Sequence, residues 1–195
     1  MIKNLAELNR EFMAERVEEP AKPALQSPAA QKPLWKELTA LLLKITAIAG
    51  GIVFIFTFLF GLMRYQEAAM HPSVIDGDVV VYYRHQKKEL APQDMVALKI
   101  DGKEQVRRII ATGGDTVDIT EDGLFINGAL QYEAHIHHET KRYEAGVDFP
   151  LSVPQGEIFV LGDYRDNAHD SRVYGTVRLE DSLGKVMTIV RRRNM

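Results

Sequence analysis

The chain has 195 residues, 24 basic and 27 acidic, for a net charge of −3. That length holds one modest domain plus attachments, and the near-neutral charge excludes a strongly basic nucleic-acid binder, so no nucleic acid is expected among its partners. Cysteine is absent, which excludes disulfides, thiol nucleophiles and thiolate metal sites.

At the N-terminus, Leu5, Leu8, Phe12 and Val17 recur near one helical face among Arg10, Glu11, Glu15 and Arg16. Residues 1–19 therefore read as a short amphipathic helix, suited to a membrane surface or a partner, or simply fraying without a role. Residues 20–34 carry Pro20, Pro23, Pro28 and Pro33 and read as an extended linker, because proline forbids a regular helix there. Residues 1–36 together form a tail.

Residues 37–64 read as a transmembrane helix. From Ile45 to Met63 the run ITAIAGGIVFIFTFLFGLM holds no charge, and as a helix it extends about 28 Å, close to the hydrocarbon thickness. A buried helix apolar on all faces would need a larger protein around it, and a cleaved signal peptide would start earlier with a shorter apolar run. Lys32, Lys36 and Lys44 precede the span and only Arg64 closely follows it. The positive-inside rule then predicts a single-pass protein of the cell membrane, its N-terminus cytoplasmic and residues 65–195 extracytoplasmic.

Beyond the span the pattern turns to β-type runs: Val79–Tyr83, Met95–Ile100, Val106–Ala111, Thr116–Thr120, Leu124–Ile126, Ile158–Leu161 and Val186–Val190. The pairs Asp76-Gly77, Asp101-Gly102, Asp122-Gly123 and Asn127-Gly128 punctuate them. These patterns predict a mainly β domain of antiparallel hairpins, anchored by one N-terminal helix.

Three segments of this region stand out. The first is Ala69-Met70-His71-Pro72-Ser73-Val74 with Asp76-Gly77-Asp78. The second is Val106-Arg107-Arg108-Ile109-Ile110-Ala111 with Gly113-Gly114-Asp115-Thr116-Val117. The third is Gly162-Asp163-Tyr164-Arg165-Asp166-Asn167-Ala168-His169-Asp170-Ser171-Arg172. In order and spacing they resemble the type I signal peptidases, membrane-anchored serine proteases that remove signal peptides from exported precursors. A single span is similar to the shorter, Gram-positive-type members, and the resemblance covers roughly residues 37–190.

The resemblance implies a signal-peptidase-like antiparallel β-sheet domain on the outer membrane face, with a serine nucleophile and a lysine base. It also implies a groove for an extended polypeptide, with Met70, His71 and Pro72 as its candidate lining. A lysine can take a proton only when neutral, so burial must depress its pKa. The family's nucleophile is the serine of a Ser-Met-x-Pro motif; that position here is Ala69. Its base position is Arg107, whose guanidinium does not deprotonate. The serine that helps position the lysine is replaced by Ala168. The positions shaping the backbone and its ion pairs remain: Asp76, Gly77, Asp78, Arg108, Gly114, Asp115, Gly162, Asp163, Arg165, Asp166, Asn167, Asp170, Ser171 and Arg172. Three changes inside intact segments describe a scaffold kept and a dyad abandoned, with no catalytic residue intact.

Inactive relatives occur beside Gram-positive pilus genes, where they assist sortases in polymerising pilins. The expected partners are accordingly membrane lipid and an exported precursor or pilin-type polypeptide, with a sortase in association. The expected function is assistance in pilus or surface-protein assembly without cleavage. The alternative is an active signal peptidase with non-standard residues; a third reading gives the work to the helix of residues 1–19. On an extended strand Ser73 would lie about 13 Å from Ala69, too far to replace the nucleophile. A His71–Ser73 pair on one strand face would lack a third member and an oxyanion hole. A buried Arg107 should pair with Glu67 or Asp170. Asp163, Arg165, Asp166, Asp170 and Arg172 are expected in an ion-pair network. The tract His135–Glu139 reads as a solvated loop rather than a metal site, and no metal or cofactor is expected. Arg191, Arg192 and Arg193 form a basic cluster suited to anionic headgroups or to a solvated tail.

Overall fold

The structure, a computed structural model, describes residues 34–85, 89–134 and 136–191. The amphipathic helix read at 1–19, the linker prolines, His135, Arg192 and Arg193 lie outside the described residues. The chain divides into two units, residues 1–47 and 48–195. The division falls inside helix α1, Leu34–Leu59, whose 26 residues bury nothing. Its length and apolar composition suffice to cross a membrane. Inside it the Thr57 hydroxyl bonds the Val53 carbonyl at 2.8 Å, so this polar group is satisfied without water.

The apolar run extends past the helix. Phe60–Arg64, read above as the end of the span, forms strand β1 and pairs with β2, Val79–Tyr83, over all five residues. Gly61 explains part of the switch. A Cβ there would lie 2.1 Å from the Tyr82 ring, so the bare backbone makes room for a buried tyrosine. Met63 then enters the core with Tyr82 and Val80. Hydrophobicity alone cannot tell these residues from helix, because the strand partner lies some twenty residues downstream.

The remaining strands are β3, Met95–Ile100; β4, Lys103–Thr112; β5, Thr116–Thr120; β6, Gly123–Ile126; β7, Ala129–Leu130; β8, Leu151–Ser152; β9, Glu157–Leu161; β10, Val177–Arg178; and β11, Ser182–Val190. They form a seven-stranded sheet in the order β1-β2-β11-β3-β4-β9-β10 and a four-stranded sheet in the order β7-β6-β5-β8. Every pairing is antiparallel. The mainly β expectation holds, and the seven predicted runs fall within strands. The one α-helix of this domain among the described residues is α2, Ser171–Tyr174. In the turns Asp101-Gly102 and Asn127-Gly128 both residues have positive φ, the geometry of two-residue hairpin loops.

The central strands are buried on both faces, which explains their unbroken apolar runs. Val96 and Leu98 of β3 join Ile109, Ile158 and Val160 in one cluster, while Ala97 and Val106 join Met63, Tyr65, Met70 and Val80 in another. Ile110, Ala111, Phe159 and Leu161 pack with Val117, Ile119 and Leu124 of the small sheet. Of the three segments singled out above, the first follows β1, the second begins within β4 and the third follows β9.

One buried carboxylate ties the loop after β1 to β11. Asp78 accepts from the Ile75 N–H and pairs with Arg191 at 2.9 Å, and Arg191 also bonds the Ser73 carbonyl. Burial opposes ionisation of Asp78, but the bonds from Arg191 and Ile75 outweigh it and hold the carboxyl below the usual carboxylate range. A depressed folded-state pKa adds stability above the unfolded value of about 3.9, and that stability is lost as pH falls through the folded pKa. Asp78→Asn should therefore lower stability at neutral pH and flatten its fall below about pH 4, measured by urea unfolding across pH. An unchanged acid slope would refute this role.

Candidate functional site

Loop 65–78 runs from β1 to β2. Its mouth is closed by Tyr65 N–H to the Asp78 carbonyl and Gly77 N–H to the Tyr65 carbonyl, each 2.9 Å. Inside it, His71 N–H bonds the Ala68 carbonyl and Val74 N–H bonds the Met70 carbonyl. Residues 68–74 are therefore wound into turns, and the extended-strand separation of Ala69 and Ser73 does not apply. Ser73 is nevertheless committed elsewhere: its hydroxyl donates to Asp163 and accepts from Arg108. The winding also removes the common strand face proposed for His71 and Ser73. It drives Met70 fully into the core, so Met70 lines no groove, while His71 and Pro72 stay exposed.

The three altered positions come together. Ala69 and Ala168 are both buried, and a Cβ on Gly162 would lie 2.4 Å from the Ala168 Cβ and 2.5 Å from the Ala69 carbonyl oxygen. That same carbonyl accepts from Tyr164 N–H at 2.9 Å, stitching the first segment to the third. Arg107 reaches the group from β4. Its Nε and Nη2 donate to the His169 carbonyl at 3.1 and 2.9 Å, and its Nη1 donates to Val106 O and to Glu67 Oε2 at 2.7 and 2.9 Å. Of the two partners expected, Glu67 is the one used.

Asp170 is not free for Arg107 because Arg172 holds it. Arg172 Nε and Nη2 each bond one Asp170 oxygen at 2.9 Å, and both side chains are essentially unexposed. Asp170 also caps α2 through Arg172 N–H and accepts from Gly162 N–H. The Ser171 hydroxyl accepts from Val160 N–H. Arg108 grips Asp163 with two bonds, 2.8 and 2.6 Å. Arg165 has its own acid, Glu133, held by two bonds of 2.7 Å, and also bonds Thr140.

The expected network is built on three ion pairs, two of them joined where Arg172 Nη2 bonds the Arg165 carbonyl at 2.7 Å, and Asp166 is not part of it. Asp166 is exposed and meets His138 at 2.6 Å. Asn167 and Asp76 are exposed. Gly114 follows β4, its N–H on the Val153 carbonyl, and Asp115 accepts from Thr112 N–H and Asn127. Among the described residues no cluster of histidine and acidic residues is arranged to hold a metal.

Sequence reasoning missed Glu133, Thr140, Tyr143 and Tyr174. Tyr143 bonds the Ala168 carbonyl and lies under the Arg172 guanidinium. Fully buried arginines signal that acids must exist, but no local spacing says which. Tyr65 and Tyr174 flank the Arg107–Glu67 pair. Burial pushes the Tyr65 hydroxyl up to about 12, with Arg107 opposing and Glu67 adding to the rise; burial raises Tyr174 as well. Neither is a phenolate at neutral pH, so neither supplies a base. The methyl of Ala69 cannot attack, and the guanidinium cannot accept a proton.

A family model described as signal peptidase, peptidase S26, matches residues 35–191. The chain is 37% identical over 127 residues to Signal peptidase I of Bacillus licheniformis, a match covering 59% of this chain and 67% of that protein. It is 30% identical over 137 residues to Signal peptidase I V of Bacillus subtilis (strain 168), covering 63% of this chain and 81% of that one. A crystal structure of a signal peptidase I from Enterococcus faecalis V583 is 31% identical and covers 52% of this chain and 98% of that chain, with a TM-score of 0.43. With the family model spanning nearly all of the apolar helix α1 and the three segments alike, the chain belongs to the signal peptidase family, peptidase S26.

Proposed function

We propose that this chain is a membrane-anchored signal-peptidase-like protein that binds exported or pilin-type polypeptides and assists their assembly at the surface without cleaving them. The observation that carries this reading is the reaction centre itself: a buried Ala69 at the nucleophile position, and Arg107 ion-paired to Glu67 at the base position. The apolar helix α1 anchors the chain, with the N-terminus cytoplasmic, as Lys32, Lys36 and Lys44 favour. Among the described residues β1 is paired on one side only, with β2. An extended polypeptide can add to such an edge through its backbone. The exposed His71 and Pro72 lie in the loop that leaves that strand.

The second reading, an active signal peptidase with non-standard residues, is favoured by the names of the relatives. Its candidate nucleophile is Ser73. The neighbouring carboxylate of Asp163 already accepts two bonds from Arg108. A precursor with an Ala-x-Ala site should be captured by a photo-crosslinker placed at His71 and recovered uncut. Turnover by the unaltered chain that Ser73→Ala abolishes would establish the enzyme instead.

A further inference from the structure

The Arg107 side chain is 1% exposed and that of Glu67 is 29% exposed. Among the described residues Glu67 is the one carboxylate bonded to Arg107; the remaining acceptors are the Val106 and His169 carbonyls. Asp170 is spent on Arg172 and on Gly162 N–H. Tyr65 and Tyr174 face the pair with neutral hydroxyls. A single negative charge therefore sets the balance of this buried centre.

We infer that Glu67 is an electrostatic lock on the vacated centre: it holds a cation at position 107 in its charged form, so that even a lysine placed there would stay protonated and could not act as a base. This rests on the non-cleaving reading above and deepens it, because proton chemistry is then blocked at four positions rather than three. A lysine amine would stand where the guanidinium carbon of Arg107 is, one bond short of Nη1 and about 4 Å from the Glu67 carboxylate. At that separation an opposite charge raises the amine pKa by about 1–3 pH units, against the depression that burial alone would give. Burial can deliver a neutral amine only after the carboxylate is removed. Position 67 is two residues before the nucleophile position, in a loop pinned by Met70 N–H on the Tyr65 hydroxyl, which keeps its backbone beside Arg107.

The test uses the full chain in detergent micelles. R107K and R107K/E67Q are labelled with 13C-lysine, and the signal gained over the unaltered chain is titrated. The expected midpoint in R107K is near or above the ordinary lysine value of about 10.4, falling by about 1–3 pH units in R107K/E67Q. The same midpoint in both variants overturns the inference. In parallel, A69S/R107K and A69S/R107K/E67Q are treated with a β-lactam-type acylating inhibitor. The second should acylate at least about tenfold faster at neutral pH, since each pH unit multiplies the neutral-amine fraction tenfold; equal, measurable rates overturn the inference. Cleavage of a precursor by the unaltered chain would defeat the non-cleaving reading and leave the lysine titration untouched.

Discussion

Asp170→Ala is expected to destabilise the β domain by about 3–5 kcal/mol, a fall in Tm of about 6–20 °C. The aspartate is fully buried and does three things at once: it neutralises Arg172, caps α2 and receives Gly162 N–H. Truncation leaves a buried guanidinium without its anion, and desolvation of that charge supplies most of the penalty. The double variant Asp170→Leu with Arg172→Met removes both charges and should recover part of the loss. Thermal unfolding of the three proteins in the same detergent checks this. A double variant no more stable than the single one would place the cost in packing or capping rather than in the stranded charge. Arg172 also bonds the Arg165 and Lys141 carbonyls, so limited proteolysis of the single variant should open the segment around 131–148 first.

Gly162→Ala should be a strongly destabilising single-methyl addition at the candidate site. The new methyl would overlap the Ala168 Cβ and the Ala69 carbonyl oxygen. The carbonyl belongs to backbone already bonded to Tyr164 N–H, so it cannot simply step aside. Overpacking of this kind costs about 1–3 kcal/mol, and a backbone contact places it at the upper end. Combining it with Ala168→Gly removes one of the two collisions and should return a fraction of the stability. Gly77→Ala is a useful contrast: its φ of +88° strains a side chain, yet nothing lies within 4 Å of the added atom. Urea denaturation should rank Gly162→Ala well below Gly77→Ala, and the reverse order would mean that the 69–162–168 contact is looser than its geometry. The same contact bears on function. Gly162 lets the first and third segments touch, and that touch brings Ala69, Ala168 and the Arg107 anchor on His169 into one place.

The strands were legible because their signals are local. Val79–Tyr83, Met95–Ile100 and Thr116–Thr120 carry β-branched or aromatic runs, and the observed strands have those bounds. The residue types at positions 69 and 107 were equally legible. A methyl and a guanidinium are what they are wherever they sit. Tertiary structure alone decided the rest. Phe60–Arg64 is strand rather than helix because β2 returns to pair with it. Met70 is core rather than groove because residues 68–74 wind inward. Arg107 chooses Glu67 because Arg172 has already taken Asp170, and Arg165 finds Glu133 more than thirty residues away. Residue chemistry can be read one position at a time, whereas a buried charge selects its partner through a competition among groups distant in sequence, settled only when the chain brings them together.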